Sequence, residues 1–270
     1  MFDEVAERGL VLLGCGKMGS AMLEGWLAEG LPATSVWVTD PHPSDWLRGV
    51  DGLHLNVHPP ENPAIALIAV KPQMMEAALP TLKPMGGGGT LFLSVAAGTP
   101  IRFYENVLGG GTPVIRAMPN TPAAIGRGIT ALIGNAASTE LQMELAEALL
   151  AAIGQTVRLD DEAEMDAVTG VSGSGPAYVF HMIEALAAAG AAEGLPPELA
   201  MRLAKATVAG AGALAEASDE TPAQLRRNVT SPNGTTQAGL EVLMNEREGL
   251  TELMRRTVAA AAARSRDLGT

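Results

Sequence analysis

Seven short apolar runs recur between residues 10 and 160, and several are separated by stretches of helical periodicity. They are "LVLLG" at 10–14, "SVWVTD" at 35–40, "AIALIAV" at 64–70, "LFLSVA" at 91–96, "PVIRAM" at 113–118, "TALIG" at 130–134 and "QTVRLD" at 155–160. Segments such as "SAMLEGWLAEG" and "STELQMELAEALLAAIG" fall between them. Runs that are apolar without alternation suit strands covered on both faces. Strand–helix alternation predicts a parallel sheet with helices on either side, a doubly wound α/β architecture. The glycine clusters at 86–89 and 109–111 read as loops.

The pattern changes near residue 161, beyond which no strand signal recurs. "PAYVFHMIEALAAAGAAEGL" opens with Pro176 at an expected N1 position and closes near Gly194. "PPELAMRLAKATVAGAGALAEAS", "TPAQLRRNV", "TQAGLEVLMNE" and "GLTELMRRTVAAAAARSRDL" continue the helical spacing. Two domains are expected, an α/β domain over 1–160 and an all-helical one over 161–270, each of ordinary size. The helices after 161 are rich in Ala and Gly, which permits close packing. A bundle this small and apolar is expected to complete itself against a second copy, giving a homodimer.

Charge and cysteine content limit the partners. The net charge of −12 argues against nucleic acid or an anionic lipid surface, so a bound anion has to be held locally by helix N-termini or single basic residues. Cys15 is the sole cysteine, which rules out a disulfide framework within the chain and fits a reducing compartment. The start, "MFDEVAERG", lacks an apolar signal core, and no uninterrupted run of 18 apolar residues occurs. A cytoplasmic protein without a membrane partner or a metal site is expected.

Gly14, Gly16 and Gly19 form G-x-G-x-x-G directly after the first strand and at the start of a helix, the context that makes this pattern a dinucleotide-binding loop. Gly14 permits the tight turn, Gly16 lets a pyrophosphate approach the backbone, and Gly19 lets the helix pack on the strand. The remaining loop residues are Cys15 and Met18, which read as packing residues, and Lys17, which faces solvent or a phosphate. Asp40 ends the second strand, 21 residues after Gly19, where a carboxylate accepts from adenosine ribose hydroxyls; a turn residue before Pro41 is the plainer alternative. Ala69, Val70, Lys71 and Pro72, in "AVKPQ", lie at the sheet's carboxyl edge, where ligands bind in such folds. Lys71 is a cofactor or substrate neighbour, or a solvated strand-end lysine. Ala97, in "AAGTP", and Asn120, in "MPNTP", also follow strands; Asn120 lines a nicotinamide pocket or forms a turn between two prolines.

In the helical half, "TSPNGTTQAGLEVL" at 230–243 places small polar residues before an amphipathic run. That is a helix start with exposed N–H groups, suited to an anion, although a simple cap has the same composition.

Together "GCGKMG", "AVKPQ", "AAGTP", "RAMPNTP", "GVSGSGPAY" and "SPNGTTQAG" resemble one family, pyrroline-5-carboxylate reductase, over nearly the whole chain and in order. The resemblance implies a Rossmann domain followed by a helical dimerisation domain that intertwines with a partner subunit. It implies NAD(P)H-dependent reduction of 1-pyrroline-5-carboxylate to L-proline, in dimers often assembled into decamers. It places the substrate loop on Val229 to Thr236, with Ser231, Thr236 and the backbone N–H groups of Gly234 and Thr235 as substrate contacts. Ser172 to Pro176 match the segment that opens the helical domain beside the site. NADH and NADPH both remain open, with NADH favoured by Asp40. In this reading the substrate carboxylate meets the Gly234–Thr236 helix start, and Thr236 positions the imine nitrogen. A protonated imine accepts hydride without a strong acid, so orientation is the main requirement. His181 reads as a packed or satisfied histidine.

Two other readings stay open. A two-domain 3-hydroxy acid dehydrogenase needs a general acid–base, for which Lys205 is the candidate. A non-catalytic nucleotide sensor keeps the glycine loop but has no use for a second anion site.

Overall fold

A computed structural model describes residues 3–269. The first elements are α1 (Asp3–Arg8), β1 (Leu10–Leu13), α2 (Lys17–Ala28), β2 (Val36–Thr39), α3 (Asp45–Arg48), β3 (His54–Leu55) and β4 (Ile65–Ile68). They continue with α4 (Met75–Ala78), β5 (Leu91–Ser94), α5 (Ile101–Leu108), β6 (Val114–Met118), β7 (Gly128–Gly134), α6 (Glu140–Ala151) and β8 (Gly154–Arg158). The strands make one sheet in the order β3-β2-β1-β4-β5-β6-β7-β8.

Strand alternation sorts the core into two layers. Leu10 and Leu12 of β1, Ile65 and Leu67 of β4, and Leu91 and Leu93 of β5 face one cluster. Met22, Leu23 and Trp26 of α2 and Leu149 and Leu150 of α6 close it. Trp26 also donates its indole N–H to the Leu149 carbonyl at 2.7 Å, which fixes α2 against α6. Val11, Leu13, Ala66, Ile68 and Phe92 point the other way, onto Met75, Leu79, Leu82, Tyr104 and Leu108. Every residue of β1, β4 and β5 is therefore buried, as their uninterrupted apolar sequence requires.

Two expectations change. The sheet is mixed, because β6 and β7 pair antiparallel while the other neighbouring strands pair parallel. The connection from Met118 to Gly128 holds only a short 3-10 turn, Thr121–Ile125, and turns at Gly126 with φ +67. That is too short for a parallel crossover, so the chain reverses. An eighth strand, β3, is two residues long, too short to carry a periodic signal.

Among the described residues no strand follows β8. The helices are α7 (Met165–Val168), α8 (Gly175–Ala192), α9 (Pro197–Ala217), α10 (Pro222–Asn228), α11 (Thr235–Leu243) and α12 (Leu250–Leu268), with a π-turn at Thr169–Gly173. Pro176 falls at the second position of α8, after Gly175. The chain forms two compact units. One runs to Gly173 and takes in residues from Ala261 onward; the other is Ser174–Ala260. The first unit thus includes Glu162, which pairs with Arg116 at 2.8 Å, and Ser265, which donates to Asp166 at 2.6 Å.

In the second unit α8 and α9 are joined at Gly194, φ +96, and the close approach is made by small residues: Ala187, Ala200 and Ala204 are buried. Its large apolar side chains are not. Val179, Phe180, Met182, Leu186, Leu203, Leu214 and Val242 are all at least 40% exposed. A single copy leaves this unit's apolar surface open to a degree unusual for a self-sufficient domain.

Candidate active site

The strand order reverses direction between β1 and β4, and the candidate cofactor residues gather at the carboxyl ends of the strands around that point. The three glycines divide the labour as their spacing predicts. Gly14 has φ +85, and a Cβ there would stand 2.9 Å from Val70 and 3.1 Å from the Ala69 backbone. A Cβ on Gly19 would stand 2.8 Å from the Gly14 carbonyl oxygen, so α2 can sit this close to β1 only without one. A Cβ on Gly16 would meet nothing within 4 Å. The backbone at Gly16 faces open space, and α2 starts there without a side-chain cap, leaving its first N–H groups for an anion. The loop therefore fits a dinucleotide pyrophosphate.

Cys15 is buried, with Sγ 3.6 Å from Ser20 Oγ, and Met18 packs on the core; Lys17 is exposed. Burial pushes the Cys15 thiol up, the Ser20 contact opposes this, and the charges of Asp40 and Glu24 add to the rise. Asp40 reaches back to the loop: Oδ2 accepts from Cys15 N and Oδ1 from His42 N, each at 2.7 Å. Its backbone is held by Asn56, which accepts from Asp40 N at 2.9 Å and donates to Asp40 O at 2.8 Å. Asn56 adopts φ +53, a conformation that asparagine tolerates better than most residues. The sequence reading missed Asn56, whose one advance signal was an Asn in the turn after β3. Arg48 Nε donates to the Pro43 carbonyl at 3.3 Å, so its guanidinium folds back on the loop after Asp40.

Ala69 and Val70 support Gly14, while Lys71 is exposed and leads into Pro72, which starts a 3-10 turn. Ala97 is half-buried beside Gly98, φ +74. Asn120 is buried and both ends of its amide are engaged. Oδ1 accepts from Ile129 N at 3.0 Å, and Nδ2 donates to the Ser172 carbonyl at 3.2 Å. It clasps β7 to the π-turn that carries Ser172 and Gly173.

Within the second unit, Gly234 caps α11 without a side chain, after Asn233 at φ +59. The Gly234 N–H, which the resemblance implied as a substrate contact, donates instead to the Ser231 carbonyl at 3.0 Å and closes a tight turn. Thr235 and Thr236, the first helical positions, have N–H groups with no carbonyl of the preceding turn to bond. Val229, Ser231, Thr235 and Thr236 are all exposed. His181 is not packed: its ring is 80% exposed and is satisfied by Glu184 at 3.1 Å. Lys205 is exposed on α9 near Glu198 and Arg202, a solvated setting unlike that of a desolvated acid–base. Among the described residues no cluster of His, Cys, Asp and Glu could hold a metal ion, and no helix is long and apolar enough to cross a membrane.

A doubly wound sheet with this glycine loop at its switch point, followed by a helical unit with an anion-ready helix start, defines a two-part nicotinamide-dinucleotide oxidoreductase. The sequence model of pyrroline-5-carboxylate reductase dimerisation matches residues 162–268, and that of coenzyme F420-dependent NADP oxidoreductase matches residues 9–98. A pyrroline-5-carboxylate reductase of Pseudomonas aeruginosa is 39% identical over 264 residues, covering 96% of both chains. The structure of a pyrroline-5-carboxylate reductase from Coxiella burnetii superposes with a TM-score of 0.90 at 31% identity, over 97% of this chain and 99% of that one. A Plasmodium falciparum pyrroline carboxylate reductase, solved with NADP bound, gives 0.83 at 27% identity, over 98% and 99%. The chain belongs to the pyrroline-5-carboxylate reductase family.

Proposed function

We propose that this chain reduces 1-pyrroline-5-carboxylate to L-proline, the last step of proline biosynthesis, with a reduced nicotinamide dinucleotide. The observation that carries this is the pairing, in one chain of this family, of a glycine loop open only at Gly16 with an uncapped helix start at Thr235. Reduced nicotinamide supplies the hydride when bound; orientation and charge fall to the chain. The first-turn N–H groups at Thr235 and Thr236, at the positive end of α11, hold the substrate carboxylate, with Ser231 and Val229 lining the same turn. Gly234 serves by closing the turn and leaving room. The Thr236 hydroxyl positions the protonated ring nitrogen, and the iminium carbon then needs no strong acid to accept hydride.

Gly14 to Gly19, Asp40, Ala69 to Pro72, Ala97 and Asn120 form the dinucleotide site. NADH is the better cofactor in this reading. Each Asp40 oxygen already accepts one N–H yet keeps acceptor capacity for ribose hydroxyls. A 2′-phosphate carries close to two negative charges and would face that carboxylate. The first Arg or Lys after Asp40 is Arg48, at the end of α3, and its guanidinium is exposed and screened. The working unit is a homodimer formed through the helical half, from about residue 161 on, with a decamer as its higher assembly. Its compartment is the cytoplasm, where a single buried thiol stays reduced. Oxidation of NADH and of NADPH by the purified chain, each with pyrroline-5-carboxylate, tests the reading. Substrate-dependent oxidation of both, faster with NADH by kcat/KM, is expected; none with either cofactor overturns it.

A further inference from the structure

Arg116 stands in β6 opposite Ser94 of β5, with 7% of its side chain exposed. Its Nη1 meets Glu162 Oε1 at 2.8 Å. The same carboxylate oxygen accepts from the backbone N–H of Ile101, the first residue of α5, also at 2.8 Å. The residue before that helix is Pro100, which offers no capping side chain, so a carboxylate 61 positions away caps α5 instead. The loop between β5 and α5 carries Ala97 and Gly98. At its start Ala96 N donates to Ser94 Oγ at 3.3 Å, and Ser94 Oγ is 2.5 Å from the buried Tyr104 hydroxyl. In its middle a Cβ on Gly98 would stand 3.0 Å from the Leu268 Cβ, so the end of α12 walls one side. At its far end the anchor is Glu162.

We propose that Glu162 is a positioning residue for the loop 95–100, which carries Ala97 of the proposed dinucleotide site. It caps α5 from the segment after β8 and so sets where the Ala97 backbone stands at the carboxyl edge. Arg116 holds the Glu162 carboxylate at the height of that cap. The proposal rests on the cofactor assignment above and concerns dinucleotide binding first.

The test separates the cap from the ion pair. Arg116→Leu removes the buried cation, and Glu162, whose side chain is 31% exposed, can stay hydrated. In that background Glu162→Gln keeps an acceptor for Ile101 N and Glu162→Ala removes it. The dissociation constants of NADH and NADPH are measured by fluorescence titration without substrate, together with cofactor KM, kcat and the melting temperature. The Gln variant should stay within about twofold of Arg116→Leu alone, while the Ala variant should raise cofactor Kd and KM about tenfold, the scale of one charge-assisted hydrogen bond. Its kcat at saturating cofactor should match that of the Gln variant, and its melting temperature should fall by no more than the few degrees a lost helix cap costs. Equal cofactor affinity in all three, or a fall in kcat at unchanged Kd, reduces Glu162 to a structural ion-pair partner and overturns the proposal. If Arg116→Leu does not fold, Arg116→Met, which keeps an unbranched apolar stem, takes its place as the background. A chain that binds dinucleotide but leaves pyrroline-5-carboxylate unreduced overturns the proposed function without touching this result.

Discussion

A Cβ at Gly16 and a Cβ at Gly14 would have opposite consequences, and the difference separates folding from binding. Gly14→Ala meets Val70 and Ala69 and forces a side chain into φ +85, so it should destabilise the first unit by about 2–3 kcal/mol, a lower melting temperature being the readout. Gly16→Ala meets no atom of the chain, so its melting temperature should match the parent while cofactor KM rises about tenfold or more. Equal effects of the two on stability would mean that the space before Gly16 is not the pyrophosphate's. Thr236→Val removes one hydroxyl at nearly constant shape. It should cost kcat/KM roughly 1.5–3 kcal/mol, read by steady-state kinetics on a variant with parental melting. Asp40→Ser should move cofactor preference toward NADPH, measured as the ratio of the two kcat/KM values. The glycine roles were legible from spacing alone because they depend on residues within one strand–turn–helix. Asn56 and Glu162 were not, because their bonds reach 16 and 46 residues away and leave no local pattern.

At the scale of elements, uninterrupted apolar runs located β1, β4 and β5 because both faces of those strands are covered. The direction of β7 was hidden in a connection length rather than in the strand itself. Residues 162–173 read as part of the helical half by composition, yet their side chains serve the sheet. A fragment ending at 160 exposes the consequence, since it leaves Arg116 buried without Glu162. The fragment 1–173 should therefore melt about 5 °C above 1–160, from a loss of roughly 2 kcal/mol in a domain of this size. Equal melting of the two would place the boundary at 160 after all. Two buried acids of this unit weaken its folding at alkaline pH. Cys15 and Tyr104 are both raised by burial first, above ordinary values of 9.0 and 10.0. The unfolded chain then loses these protons at lower pH than the folded chain. Their contribution to stability is present in full below pH 9 and falls as pH rises through the folded values, which denaturant melts at pH 8, 9 and 10 should show.

For the whole molecule, the open faces of α8, α9 and α11 and the family match over 162–268 point to the same assembly. Sedimentation should find the full chain as a dimer or a multiple of one, and an active monomer at assay concentration would contradict that assignment. Sequence could locate the helices rich in alanine and glycine, but not the faces left open, which depend on how α8 and α9 pack. The central claim is a hydride passed from nicotinamide to a ring carbon of pyrroline-5-carboxylate. Its most direct measurement uses NADH or NADPH deuterated at nicotinamide C4, in the position transferred, with mass and NMR analysis of the product. The expected result is L-proline formed in step with cofactor oxidation and carrying one deuterium, bonded to C5. Cofactor oxidised without proline, or proline whose new C5 hydrogen comes from solvent, would contradict it.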